Sequence, residues 1–168
     1  MADTLSPALP DKVERLAEEV LTAACDRKLT LAAAESCTGG LLASLLTDVP
    51  GQSHAFERGF VVYTPEAKEE MLGVPATLLG DPGPVSEIVA RKMAEGALTH
   101  SKADIAVSIT GFAGAGAPED TPGLVHFASA VRSGPTLHRR CLFQEKDRAG
   151  VRLRALEVAL DMFRERIG

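Results

Sequence analysis

Tryptophan is missing from this chain, tyrosine occurs once, and aromatic residues make up only 4% of its 168 residues. Without an aromatic platform, stacking on single-stranded nucleic acid is not expected. Basic residues are outnumbered, 18 Lys and Arg against 23 Asp and Glu, for a net charge of −5. Nucleic acid and anionic membrane are both held largely through neutralised phosphates, so neither is an expected partner. No run approaches the roughly 18 apolar residues that suggest a membrane span. The opening stretch MADTLSPALPDKVERLAEEV lacks the basic-then-apolar order of a secretory signal. Cysteines are few: Cys25, Cys37 and Cys141 form an odd set without CxxC or Cys/His ligand spacing. They read as reduced thiols of a cytoplasmic protein without zinc or disulfides.

What is present is ordinary globular material, 45% hydrophobic and 24% charged. That is enough for one core in a single domain. Residues 1–10, with Pro7 and Pro10, are expected to form a loose arm ahead of a domain over 11–168. Asp11 and Glu14 suggest a capping box, and Val13, Leu16, Val20, Leu21 and Ala24 follow at helical spacing. The run 29–35 reads as a buried strand that breaks into Ser36-Cys37-Thr38-Gly39-Gly40, after which Leu41, Leu42, Leu45 and Leu46 line a helix. Residues 56–63 read as a strand. A helix follows with Thr64 as N-cap, Pro65 at its first position and Gly73 past its end. Residues 78–84 read as loop, and Ser86 as the cap of another helix. The strand 104–110 leads into a Gly/Pro-rich loop over 111–123. Strands 124–131 and 137–143 then form a hairpin, and Asp147 caps a last helix. The implied fold is α/β, a three-layer α/β/α sandwich with a mixed sheet.

Four segments could carry chemistry. In the first, Gly39 and Gly40 let a ligand approach the backbone, and the following helix aims free N–H groups at the turn. That suits an anion or a developing oxyanion, with Ser36 or Cys37 as nucleophile, although an N-cap with tight helix–sheet packing explains the same residues. A thiol is intrinsically the better nucleophile but wants a histidine. His54 and His100 fall near helix ends, His138 on a polar strand face and His126 in mid-strand, and none stands out as a base. A serine without histidine can use lysine. The second segment, Tyr63 to Lys68, supplies one in the first turn or so of a helix, where the macrodipole disfavours its charge. Equally, Tyr63 could staple that turn while Lys68 stays solvated. The third is the glycine loop after Thr110, with Gly111, Gly114 and Gly116, a possible phosphate cradle or a plain connection. The fourth is Arg148 and Arg152, one turn apart at the start of the last helix, placed for a phosphate or for Glu145 and Asp147.

In order along the chain, AESCTGG (34–40), FERGFVVY (56–63), EAK (66–68), VSE (85–87), SITGFAG (108–114) and Asp147-Arg148 resemble the CinA C-terminal domain family over about residues 11–165. Its stand-alone members are nicotinamide-nucleotide amidases. The resemblance implies hydrolysis of nicotinamide mononucleotide to nicotinate mononucleotide and ammonia, in pyridine nucleotide salvage, without cofactor or metal. By the same resemblance Ser36 is the nucleophile, and Tyr63 and Lys68 assist. Backbone groups of Cys37, Thr38, Gly39 and Gly40 hold the oxyanion. Thr110, Gly111, Gly114 and one of Arg148 and Arg152 hold the nucleotide. The family also implies a homo-oligomer, with a dimer favoured. Its usual GIAGPxGG loop is here GFAGAGAPEDTPG, with Ala115 in place of proline. The altered loop keeps two other readings open: an amidase for a different small amide, or a non-catalytic nucleotide-binding module with a competence- or damage-related regulatory role.

Overall fold

A computed structural model describes residues 9–145 and 147–168. The arm expected over 1–10 therefore lies, apart from Leu9 and Pro10, outside the described residues. Five strands, β1 (Leu31–Glu35), β2 (Phe56–Val61), β3 (Ile105–Gly111), β4 (Leu124–Val131) and β5 (Leu137–Leu142), form one sheet in the order β2-β1-β3-β4-β5. β1 is parallel to β2 and β3, whereas β4 and β5 run antiparallel as the late hairpin. All five residues of β1 are buried because both faces of the sheet are covered there.

Among the described residues there are six α-helices: α1 (Asp11–Asp26), α2 (Leu41–Leu46), α3 (Pro65–Leu72), α4 (Ala76–Gly80), α5 (Glu87–Thr99) and α6 (Arg148–Ile167). Strand alternation divides the core in two. Leu31, Ala33, Val107, Ile109 and Phe127 pack against α1, α2 and α6. Ala32, Ala34, Ala106, Ala128 and Ala130 pack against α3 and α5. That second layer is built from small residues, so its helices sit close. A Cβ on Gly96 of α5 would lie 2.0 Å from the Leu72 carbonyl oxygen. Gly96→Ala should therefore cost about 2–3 kcal/mol by forcing α3 off α5, read as a lower urea midpoint; an unchanged midpoint would contradict the close packing.

Two expectations are corrected. Residues 76–80 form the short helix α4, where 78–84 read as loop: Leu79 is buried against α5 and repays a single turn. Asp11 is not a capping residue, because Pro10 takes the N-cap position of α1 and no side chain caps it. Thr64, Ser86 and Asp147 do cap α3, α5 and α6 through their side-chain oxygens.

The chain leaves β1 through α2 on one face and leaves β2 through α3 to α5 on the other. The carboxyl end of β1 is thus a topological switch point, where open α/β sheets leave a crevice. Residues 36–40 begin there.

Candidate active site

The turn after β1 is held from within. Glu35 is fully buried, and its carboxylate accepts from Thr38 Oγ1 at 2.5 Å and from the N–H groups of Gly40, Leu42 and Ala43 at 3.2, 3.1 and 2.8 Å. It neutralises the start of α2 from the preceding strand, a capping role that the sequence pattern did not reveal. A carboxylate ending a buried strand just before an Sx[ST]GG turn was the available signal. Gly39 and Gly40 adopt φ of +59° and +97°, which side-chain-bearing residues rarely tolerate in succession. The N–H of Gly39 is spent on the Ser36 carbonyl and that of Gly40 on Glu35. Only the N–H groups of Cys37 and Thr38 make no hydrogen bond to another described residue. The expected oxyanion donors narrow accordingly from four residues to two.

Ser36 and Lys68 meet. Lys68 Nζ lies 3.0 Å from Ser36 Oγ and donates to the carbonyls of Val62 at 3.0 Å and Tyr63 at 3.4 Å. Both side chains are buried, and among the described residues no carboxylate lies within ion-pair distance of the amine. Burial holds the Lys68 amine below the ordinary lysine range, opposed weakly by Cys37. A neutral amine has two N–H donors and one lone pair. In that form the two carbonyls can take the donors, which would turn the lone pair to the Ser36 hydroxyl.

Burial disfavours Cys37 as a nucleophile at neutral pH. It pushes the thiol up to about 12, and the nearby Arg152 guanidinium does not offset it. Its alkylation by iodoacetamide should lag far behind that of the half-buried Cys25 and Cys141 until the protein is unfolded; peptide mapping of the labelled cysteines would show this, and early labelling of Cys37 would contradict its burial.

The remaining expected residues divide. Tyr63 offers only its backbone carbonyl to Lys68: its side chain is 66% exposed. Among the described residues its ring makes no hydrogen bond to Lys68 or Ser36. Thr38 serves Glu35. Thr110 is buried and donates to the Pro84 carbonyl at 2.7 Å. Gly111 is required by packing, since a Cβ would meet the Leu124 carbonyl oxygen at 2.7 Å. Gly114 lies against Arg148, whose guanidinium nitrogen would be 3.6 Å from an added Cβ. Arg152 donates from Nε to the Cys37 carbonyl at 2.9 Å and also passes beside Gly39. Neither arginine pairs with Glu145 or Asp147: Glu145 faces Arg154, and the Asp147 carboxylate caps Gly150. Among the described residues, no group of three or more His, Cys, Asp or Glu is placed to hold a metal ion.

A buried serine–lysine pair at the switch point of a three-layer α/β/α sandwich defines a class of fold and site, one equipped for covalent chemistry without histidine. The CinA C-terminal domain family matches residues 13–167, and the chain belongs to that family. It is 47% identical over 148 residues to the nicotinamide-nucleotide amidohydrolase PncC of Escherichia coli K12, covering 87% of this chain and 89% of that one. It is 46% identical over 147 residues to a CinA-like protein of Akkermansia muciniphila, covering 86% of this chain but 35% of the relative. The chain thus spans about a third of the length of the first curated relatives it matches. The crystal structure of the competence/damage inducible protein CihA of Agrobacterium tumefaciens superposes with a TM-score of 0.89 at 42% identity, over 94% of this chain and 96% of that one.

Proposed function

We propose that this chain is an amidohydrolase that converts nicotinamide mononucleotide to nicotinate mononucleotide and ammonia through a covalent acyl-serine. The observation that carries this reading is the 3.0 Å approach of Lys68 Nζ to Ser36 Oγ in a buried setting, with no carboxylate partner among the described residues. The 47% identity to a protein named as a nicotinamide-nucleotide amidohydrolase supports the substrate.

In this scheme the neutral Lys68 amine takes the Ser36 hydroxyl proton as Oγ bonds to the carboxamide carbon. Negative charge gathers on the amide oxygen, which the free N–H groups of Cys37 and Thr38 stabilise. Each well-aimed donor of this kind is worth about 3–4 kcal/mol. The tetrahedral intermediate expels the nitrogen, and Lys68 returns the proton so that ammonia leaves. A water molecule, deprotonated by the same amine, then attacks the acyl-serine; the acid is released and Ser36 regains its proton.

The phosphate falls to Arg148. Arg152 already spends its Nε on the Cys37 carbonyl and braces the turn, whereas Arg148 stands beside the glycine loop at the amino end of a 20-residue helix. There the guanidinium and the helix end both favour an anion. Tyr63 is left outside the proton path in this scheme, and its carbonyl is what orients Lys68.

The test is ammonia release from nicotinamide mononucleotide by the purified protein and by Ser36→Ala, run without added metal. Release by the first and its loss in the second is expected. A folded wild-type protein that releases none, or a variant that keeps pace, would end this reading.

A further inference from the structure

The second half of the reaction needs a base for the nucleophile that attacks the acyl-serine. The four histidines are engaged away from Ser36. His54 Nε2 lies 3.6 Å from Cys25 Sγ, His100 Nδ1 lies 2.8 Å from the Gly96 carbonyl oxygen, and His126 Nδ1 lies 2.9 Å from His138 Nε2. Glu35, next to the serine in sequence, has Oε1 on the Ala43 N–H and Oε2 on Thr38, Gly40 and Leu42. The Thr110 hydroxyl is donated to the Pro84 carbonyl. The Cys37 thiol, pushed up to about 12 by burial, keeps its proton at neutral pH. Among the described residues, Lys68 is the one basic side chain hydrogen-bonded to Ser36 Oγ.

One amine therefore serves both the nitrogen that leaves and the nucleophile that arrives. In acylation Lys68 hands a proton to the departing nitrogen, and in deacylation it takes one from the attacking group. Departure and arrival cross the same carbon beside the same amine. A separate carboxylate or imidazole would activate water in preference to nitrogen, and among the described residues none stands at Ser36.

Burial sets a limit on the attacking group. Ser36 is 7% exposed and Lys68 1%. A nucleophile must be small to reach the acyl carbon. It must also be uncharged, since an ammonium ion has no lone pair and loses its hydration on entering.

We propose that this site is also an acyltransferase, in which small uncharged nitrogen nucleophiles compete with water for the acyl-serine and leave as substituted amides. This rests on the amidase reading above and adds a second substrate class to it, the acceptor. With hydroxylamine as acceptor, the nitrogen lone pair bonds to the acyl carbon and Lys68 takes one N–H proton. The tetrahedral centre then breaks its bond to Ser36 Oγ, and Lys68 returns the proton to that oxygen. The sum is amide plus hydroxylamine giving hydroxamate plus ammonia, with nothing oxidised or reduced.

The test incubates the protein with nicotinamide mononucleotide and a series of hydroxylamine concentrations, and measures ammonia, acid and hydroxamate. The hydroxamate-to-acid ratio should rise in proportion to uncharged hydroxylamine, with a preference over water of at least about a hundredfold per mole. Ser36→Ala should form neither product. Hydroxamate at the wild-type rate in that variant would show attack without an acyl-serine and overturn the inference. A pH series reads the shared base. Total turnover should fall as Lys68 is protonated, while the ratio, corrected for the uncharged fraction of hydroxylamine, holds within about twofold. A corrected ratio that moves with pH would give water a base of its own and overturn the inference. O-benzylhydroxylamine presents the same nitrogen on a large group and should be trapped at least about tenfold less. Equal trapping would overturn the restriction to small acceptors. Ammonia release with acid as the sole product at every hydroxylamine concentration overturns the transfer and leaves the hydrolase. Hydroxamate with hydroxylamine, but no acid without it, would support the transfer and remove hydrolysis as the reaction of the site. A protein that forms neither product would end both readings.

Discussion

Replacing Lys68 by methionine should lower ammonia release from nicotinamide mononucleotide by at least about a thousandfold, the scale of a lost general base. The shape of the neighbouring residues survives, but among the described residues no other amine or imidazole is hydrogen-bonded to Ser36 Oγ. Lys68→Arg should not rescue the activity, because a guanidinium stays protonated and has no lone pair to offer. The pH profile checks the same point. The amine must be neutral to accept a proton, and burial holds its pKa below the ordinary lysine value. As pH falls through that lowered pKa, kcat/KM of the wild-type protein should fall with the fraction of neutral amine. The residual rate of the methionine variant should lack this limb. A methionine variant that keeps both rate and limb would show that another group takes the serine proton.

Glu35→Ala carries the second large effect, and it strikes fold and rate together. Four donors converge on this carboxylate in a site without solvent access, three of them backbone groups that open α2. Hydrogen bonds to a buried charge are worth about 1.5–3 kcal/mol each, and orphaned donors add to the loss. Allowing for relaxation of the turn, about 3–5 kcal/mol should go, a large fraction of a typical domain's stability. A urea melt would measure it. Glu35→Gln keeps one accepting oxygen but turns an amide group toward N–H donors, so it should recover only part of the loss. Where the glutamine variant still folds, kcat should fall more than KM rises. Glu35 does not touch the substrate in the proposed scheme, but it fixes the turn whose Cys37 and Thr38 N–H groups face the developing charge. A glutamine variant with wild-type kcat would make Glu35 a structural residue only.

Much of the fold was legible because local chemistry and tertiary packing agree. The Thr64-Pro65 start of α3 and the Ser86 and Asp147 caps each follow from dihedral preference or hydrogen bonding within a few residues. Leu79 shows where that agreement ends. Among glycines and prolines it signals loop, but contact with α5 stabilises a turn of helix there. Asp11 matched a cap pattern that Pro10 pre-empted.

The site divides along the same line. The sequence by itself determined the glycine turn after a buried strand, a serine and a cysteine in it, a lysine at the start of a helix, and two arginines one turn apart. Tertiary structure alone decided which of them act together. Ser36 and Lys68, 32 residues apart, meet because β1 and β2 pair in parallel and α3 folds back beside them. Burial, which no local pattern reports, raises the Cys37 thiol and lowers the lysine. Tyr63 faces outward because the chain turns into α3 with its carbonyl, and not its ring, toward the amine. Glu35 and the His126–His138 contact escaped the sequence reading for one reason. Their meaning lies in hydrogen bonds to groups that only the folded chain brings together.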